Sequence, residues 1–185
     1  MRHYSSKLLT VGSLALALFL ASPAQAQTPP EGWRFFQKGD IAISPVMIGP
    51  MIAAGDYSGT AFALFNDVDF HLTSNIAIGA LLNVGFRSSY VGLDVGPQFK
   101  YKFEVGNTSH VPYVRAALPL RFGFVSNADT SVGMGIVHFG GGYKYFFHRM
   151  VGAGIDLGFV PTVLFAGGGS FVFGVNIQFG IEIKI

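Results

Sequence analysis

Hydrophobic and polar positions alternate along most of this chain, most regularly from Phe171 to Ile185. There Phe171, Phe173, Val175, Ile177, Phe179, Ile181, Ile183 and Ile185 interleave with Val172, Gly174, Asn176, Gln178, Gly180, Glu182 and Lys184. Successive side chains of a strand point to opposite faces, so this segment is a ribbon with one apolar face and one polar or small face. The same period recurs upstream. Phe62, Leu64, Val68, Phe70 and Leu72 oppose Ala61, Ala63, Asp67, Asp69 and His71. Ile76, Ile78, Leu82, Val84 and Phe86 oppose Asn75, Asn83 and Arg87. Val91, Leu93, Val95, Phe99, Tyr101 and Phe103 oppose Asp94, Gln98, Lys100, Lys102 and Glu104. A slip of one residue would exchange the two faces, so the register is strongly specified. The phase is weaker in 40–54 and 132–147.

Turn-forming stretches divide the pattern into eight predicted strands, 40–54, 60–72, 75–87, 90–104, 111–125, 132–147, 151–165 and 171–185. Among the dividers are Gly55-Asp56-Tyr57-Ser58-Gly59, Gly106-Asn107-Thr108-Ser109 and Gly167-Gly168-Gly169-Ser170. Each strand exceeds the roughly 9–11 residues with which a tilted strand crosses a bilayer. The pattern therefore predicts an all-β fold, an eight-stranded antiparallel up-and-down transmembrane barrel with apolar residues toward lipid and polar ones toward the lumen. Outward aromatics sort to two ends, Phe70, Tyr101, Phe103, Tyr143, Tyr145, Phe147 and Phe179 at one, and Phe62, Phe86, Phe122, Phe124, Phe165 and Phe171 at the other. Such girdles are what interfacial preference produces. Pro45, Pro50, Pro97, Pro112, Pro119 and Pro161 fall inside these strands, where a closed barrel offers no free edge. Gly49-Pro50 and Gly96-Pro97 are accordingly expected to be bulges.

The first 26 residues read as an export signal. Arg2 and Lys7 form a basic start, Leu8 to Leu20 an apolar core, and Ala24-Gln25-Ala26 a small-x-small cleavage site. Residues 27–38 form a periplasmic leader, and 39–185 the barrel. The leader contains Pro29-Pro30 and Trp33-Arg34-Phe35-Phe36; its aromatic cluster suits either the membrane interface or the barrel mouth, and both readings stand. Cleavage removes two of the twelve basic residues and none of the ten acidic ones, leaving a mature chain without formal net charge. With no basic excess and no Lys/Arg run, nucleic-acid binding has no electrostatic footprint. The chain has no cysteine, which excludes disulfides, thiolate chemistry and lipid attachment to a terminal Cys.

In this pattern the chain resembles the small eight-stranded bacterial outer-membrane barrels of the OmpA transmembrane-domain and OmpX type. The most specific element is the end of the chain, where Gln178, Gly180, Ile183 and Ile185 occupy the places of that group's assembly signal. The group usually ends in Phe or Trp; this chain ends in Ile185. The resemblance implies an outer-membrane location, the lipid bilayer and the export and barrel-assembly machineries as partners, a monomer, and no cofactor.

The inward positions carry the candidate chemistry. Asp67, Asp69, Asp94, Glu104, Asp156 and Glu182 face the same lumen as Arg87, Lys100, Lys102, Arg115, Arg121, Lys144 and Lys184, with His71 beside them. Buried charges are costly unless paired, and an eight-stranded lumen is just wide enough for side chains to fill. Mixed signs thus predict a lumen closed by ion pairs. Against this, inward Gly92, Gly96, Gly140, Gly142, Gly152, Gly154, Gly158, Gly174 and Gly180 remove volume and leave a narrow channel as an alternative. Some small barrels of this membrane deacylate lipid A, with a His and a Ser two apart on one strand and an acid nearby. The nearest approach here is His71-Leu72-Thr73, at a turn, and His138 has no Ser two away, so the chain reads as a non-enzyme. His71 with Asp67 and Asp69 has the form of a metal site, but three polar residues on one inward face give that spacing automatically, and ion pairing is the simpler role. Gly167-Gly168-Gly169 lacks the Lys and the following helix of a phosphate loop. Three functions follow: a non-enzymatic envelope barrel, a narrow porin-like channel, or a periplasmic lipocalin-like carrier, whose polarity would be reversed.

Overall fold

The computed structural model describes residues 35–55, 59–87, 90–103, 105, 109–125, 131–135, 137–165 and 170–185. The signal segment, Trp33, Arg34, Glu104 and Gly167-Gly168-Gly169 lie outside the described residues. Eight antiparallel strands follow in chain order: β1 (Ile41–Gly55), β2 (Gly59–His71), β3 (Ile76–Arg87) and β4 (Tyr90–Lys102). Next comes β5 in two parts (His110–Ala117 and Leu120–Val125), then β6 in two parts (Ser131–Gly135 and His138–Phe146). β7 (Val151–Leu164) and β8 (Ser170–Lys184) complete the set. Each strand pairs with the next, and β8 pairs with β1 from Ala42↔Lys184 to Gly55↔Val172, so the sheet closes and keeps no edge. Closure is what spares a transmembrane sheet from unsatisfied backbone groups.

The prolines interrupt the ladder without interrupting the barrel. Leu118-Pro119 splits β5, yet Gln98↔Ala117 on one side and Val95↔Leu120 on the other belong to a single register against β4. Pro119 has no N–H to give, and Pro97 lies across from this break, so two missing donors fall at one place in the wall. The bulges expected at Gly49-Pro50 and Gly96-Pro97 are not there. Pro50 stands in register opposite Phe62, and Pro97 opposite Ala80. The shift in β1 comes earlier, at Pro45-Val46, where Ser44↔Asp67 is followed by Met47↔Phe65. A second shift falls in β6, because Gly135 pairs with Thr162 and Phe139 with Phe159, giving β6 one residue more than β7. Each bulge inverts the alternation. Ser44 and Met47 both point inward, while Met134 points out and His138 in.

The distribution of side chains is that of an inside-out protein. Val46, Ile48, Phe62, Val68, Leu82, Val95, Phe99, Leu120, Ile155, Ile177 and Ile181 are all exposed. Of the expected aromatic girdles, Phe70, Tyr101, Phe103, Tyr143, Tyr145, Phe147 and Phe179 are exposed at one end, and Phe62, Phe86, Phe124, Phe165 and Phe171 at the other. Asp, Lys, Arg, Asn and Gln occupy the interior instead.

Candidate functional site

Two residues apart on one strand means the same face, and eight converging strands bring those faces into one lumen. Five acids, Asp67, Asp69, Asp94, Asp156 and Glu182, and five bases, Lys100, Lys102, Arg115, Arg121 and Lys144, are buried there. They sort into neutral groups. In the largest, Lys100 Nζ sits 2.5 Å from Asp67 and 2.8 Å from Asp69, while Lys102 and Lys144 both reach Glu182. Ser44 links this group further, accepting from Lys144 at 3.1 Å and donating to Glu182, and Gln98 donates to Asp69 at 2.8 Å. In the second group Arg115 forks onto Asp156 with 2.7 and 3.0 Å bonds, and Tyr113 OH donates to the same carboxylate at 2.7 Å. In the third, Arg121 forks onto Asp94 at 2.5 and 2.6 Å, with Asn83 donating at 3.0 Å. Forked guanidinium–carboxylate bonds are among the stronger charge-assisted contacts.

The inward glycines do not leave the lumen empty. Three of them, Gly142, Gly154 and Gly158, are sockets for large side chains of other strands. A Cβ on Gly142 would lie 2.6 Å from Tyr113 OH, and one on Gly158 would lie 2.7 Å from Arg115 Nη2. A Cβ on Gly154 would meet the Lys144 stem at 2.8 Å. At these three positions the volume removed is refilled by groups that make the ion pairs, joined at Gly158 by the Asn176 side chain, whereas Gly96, Gly140 and Gly180 lie first against the backbone of a neighbouring strand. An apolar layer of Met47, Phe65, Leu81 and Ala117 is buried in the same lumen, with Arg115 over the Phe65 ring at 4.8 Å.

At the end of the lumen where β1 begins, Phe35 and Phe36 lie buried across the opening. Phe35 and Phe36 pack with Ala42, Val111 and Phe146. Phe36 stacks face to face on His71, with ring centroids 4.2 Å apart, and Lys102 Nζ lies 3.6 Å from the Phe36 centroid. Lys184 Nζ donates to the Phe35 carbonyl at 2.5 Å and pairs with Asp40 at 2.9 Å. Of the two readings of the leader, the structure selects the mouth of the barrel for Phe35 and Phe36.

Most of the candidate residues named from sequence fall into these groups. Arg87 does not: it is exposed at the rim, against Gly59, at the end of β3 where the strand leaves the lumen. His71 is turned to Phe36 and Lys102, its Nε2 3.0 Å from Lys102 Nζ, and away from the carboxylates with which a metal site would be built. The carboxylates that do converge, Asp67, Asp69 and Glu182, lie within 4.8 Å of one another, and each holds an ammonium group. His71 and Thr73 share no site, since His71 is buried and Thr73 is exposed in the following turn. Gln178 is buried and inward, Gly180 lies against Met47, and Ile185 is exposed, its N–H donating to Ile41. Sequence reasoning missed Tyr113 as a partner of Asp156 and Asp40 as a partner of Lys184. Tyr113 carried a signal, two residues before Arg115 on the same inward face.

These features define a closed eight-stranded antiparallel β-barrel with an apolar exterior and a charge-paired interior. No family model matches the chain, and no curated protein matches it in sequence. Solved structures do match. The chain is similar to Neisserial surface protein A, at 15% identity and a TM-score of 0.64, over 80% of this chain and 97% of that one. It is similar to the N-terminal β-barrel domain of OprF from Pseudomonas aeruginosa, at 15% identity and a TM-score of 0.54, over 80% and 98% of the two chains. The outer-membrane protein OprG of the same organism matches at 11% identity and a TM-score of 0.54, over 83% and 99%. The fold is that of the small outer-membrane barrels.

Truncating one member of a buried pair strands the other. Asp156→Ala should cost about 3–5 kcal/mol, whereas Arg115→Met and Asp156→Leu combined with Tyr113→Phe should cost far less, because together they remove both charges and the hydroxyl that donates to Asp156 and keep the volume. Urea unfolding of the refolded barrel, with the slope held constant, compares the two. Gly158→Val should lower stability as Asp156→Ala does, by displacing the Asn176 amide and the Arg115 guanidinium that fill the space beside it.

Proposed function

We propose that this chain is an integral outer-membrane barrel without catalytic activity, its lumen closed by ion pairs, with a structural role in the cell envelope. The observation that carries this reading is the inverted distribution of polarity. Apolar residues form the outside, and the ten buried charges inside balance in small neutral groups. Lipid is the solvent that matches such an exterior, and a water-soluble carrier of the lipocalin kind would need the reverse. The fold shared with small outer-membrane barrels supports the location. Residues 1–26 act as the cleaved export signal, and Gln178, Gly180, Ile183 and Ile185 are read by the assembly machinery, giving a monomer. Arg115 and Arg121 are committed to carboxylates, and His71 to the leader, which leaves these polar groups no substrate to act on.

A narrow channel is favoured by one separate observation. Thr162 Oγ1, Asn176 Oδ1, His138 Nε2 and both polar atoms of Gln178 are buried without a protein partner. Buried polar atoms are ordinarily satisfied, so water belongs beside these groups.

Planar-bilayer conductance separates the two readings. Refolded protein with the compact, heat-sensitive gel mobility of a barrel should be silent, and Asp67→Ala or Lys100→Ala should give current by opening the largest group. Steady current from the unaltered chain would mean a channel. The membrane reading has its own test in Leu82→Arg, on the outer face of β3. It should destabilise the barrel in phosphatidylcholine vesicles by about 2–4 kcal/mol, the cost of a cation near the bilayer midplane; no change would refute lipid contact at that face.

A further inference from the structure

We propose that residues 35–38 are a displaceable stopper, which holds the mouth of the lumen in a closed state and swings away from it about Gly39. The inference goes beyond lumen closure by ion pairs, which lies deeper in the barrel, and rests on the membrane-barrel reading only for the identity of the fold. Four observations on different atoms support it.

The stopper is not part of the wall. Ile41, the first residue of β1, has its N–H and carbonyl both engaged with Ile185, and just before it the Gly39 N–H donates to the His71 carbonyl while the Asp40 carbonyl accepts from the His71 N–H, so the wall begins at Gly39. Withdrawing residues 35–38 therefore breaks no strand pairing. The hinge is built in: Gly39 has a φ of +95°, a conformation that other residues rarely adopt, and open space surrounds the position where its Cβ would be. The seat is made of cations facing aromatic rings. Lys102 lies over Phe36, and Lys184 is 4.9 Å from the Phe35 centroid. Such contacts hold strongly when water is excluded and exchange readily for hydration when it returns. Finally, the floor beneath the stopper is polar, since His71, Lys102, Lys144 and Ser44 are buried on the same side of the lumen. An apolar cap on a polar chamber is stable when closed and leaves a hydratable surface when open. Asp40 acts as the latch: its Oδ2 accepts from the Gln37 N–H of the stopper at 2.9 Å and pairs with Lys184 on the wall at 2.9 Å.

Because the chain has no cysteine, a single introduced thiol reports on the chamber without background. Ala42→Cys lies under Phe35 and Phe36, and Val111→Cys is a second reporter in the same cluster, kept in case the first fails to fold. The mature chain is refolded in detergent micelles and exposed to a water-soluble, charged methanethiosulfonate reagent, with folded protein selected by gel mobility. With the leader intact, labelling should be slow and its rate should level off as reagent is raised, because opening limits it. Adding Phe35→Ala and Phe36→Ala should accelerate labelling at least tenfold and remove the plateau, and Asp40→Asn should give an intermediate rate. Equal rates with and without the two phenylalanines would overturn the stopper, as would failure of either thiol to react once they are removed. None of these readouts depends on conductance, so a channel-forming barrel could pass this test and a silent one could fail it.

Discussion

Ten acidic and basic side chains enclosed in a narrow protein interior can persist only where opposite charges meet. That requirement governs the rest of the structure. The strands must be long enough to carry inward charges past one another, the register must be fixed so that none of them turns outward, and space must be left where each pair meets. The glycines satisfy the last condition. Gly142, Gly154 and Gly158 form a smooth inner wall on β6 and β7, against which Tyr113, Lys144 and Arg115 lie flat. Small residues on one side of the barrel and long polar ones on the other are thus two halves of a single packing solution. Closure of β8 onto β1 completes it, because Glu182 on β8 meets Lys102 from β4 and Lys144 from β6 across the lumen.

The alternation made the strands and their faces readable because period two is a local property. Asp94, Gln98, Lys100 and Lys102 share a face by spacing alone, whatever the rest of the chain does. The same locality explains where the reading weakened. The two segments with uncertain phase, 40–54 and 132–147, are the two that carry bulges, and an extra residue inverts the pattern halfway along the strand. Pro45 marked the first of these, but Gly-Pro pairs elsewhere drew the expectation away from it. Pro50 and Pro97 show that a proline can stand in register within a closed sheet, at the cost of a ladder bond.

Pairings between groups were not readable, because the stagger between strands decides which inward residues meet. Lys100 is two positions from both Gln98 and Lys102, yet it joins Asp67 and Asp69 while Lys102 joins Glu182, 80 residues away in sequence. The glycines were misleading for the same reason. Taken alone, an inward glycine is missing volume; its occupant comes from another strand, and only the assembled lumen shows it.

The leader presents the clearest case of a choice that sequence leaves open. Phe35 and Phe36 suit a membrane interface and a barrel mouth equally well, since both offer an apolar surface with polar groups nearby. What decides between them is the ring of His71, Lys102 and Lys184, residues from β2, β4 and β8 that become neighbours only when the sheet closes. Two lysines at a mouth that also holds Asp40 would attract water and counter-ions if left open. Covering them with aromatic faces replaces that hydration with cation–π contact and keeps the rings out of water as well. At the end of the lumen where β1 begins, the lysines are therefore covered by the chain's own Phe35 and Phe36, through contacts that require no further strand and leave the wall of the barrel unchanged.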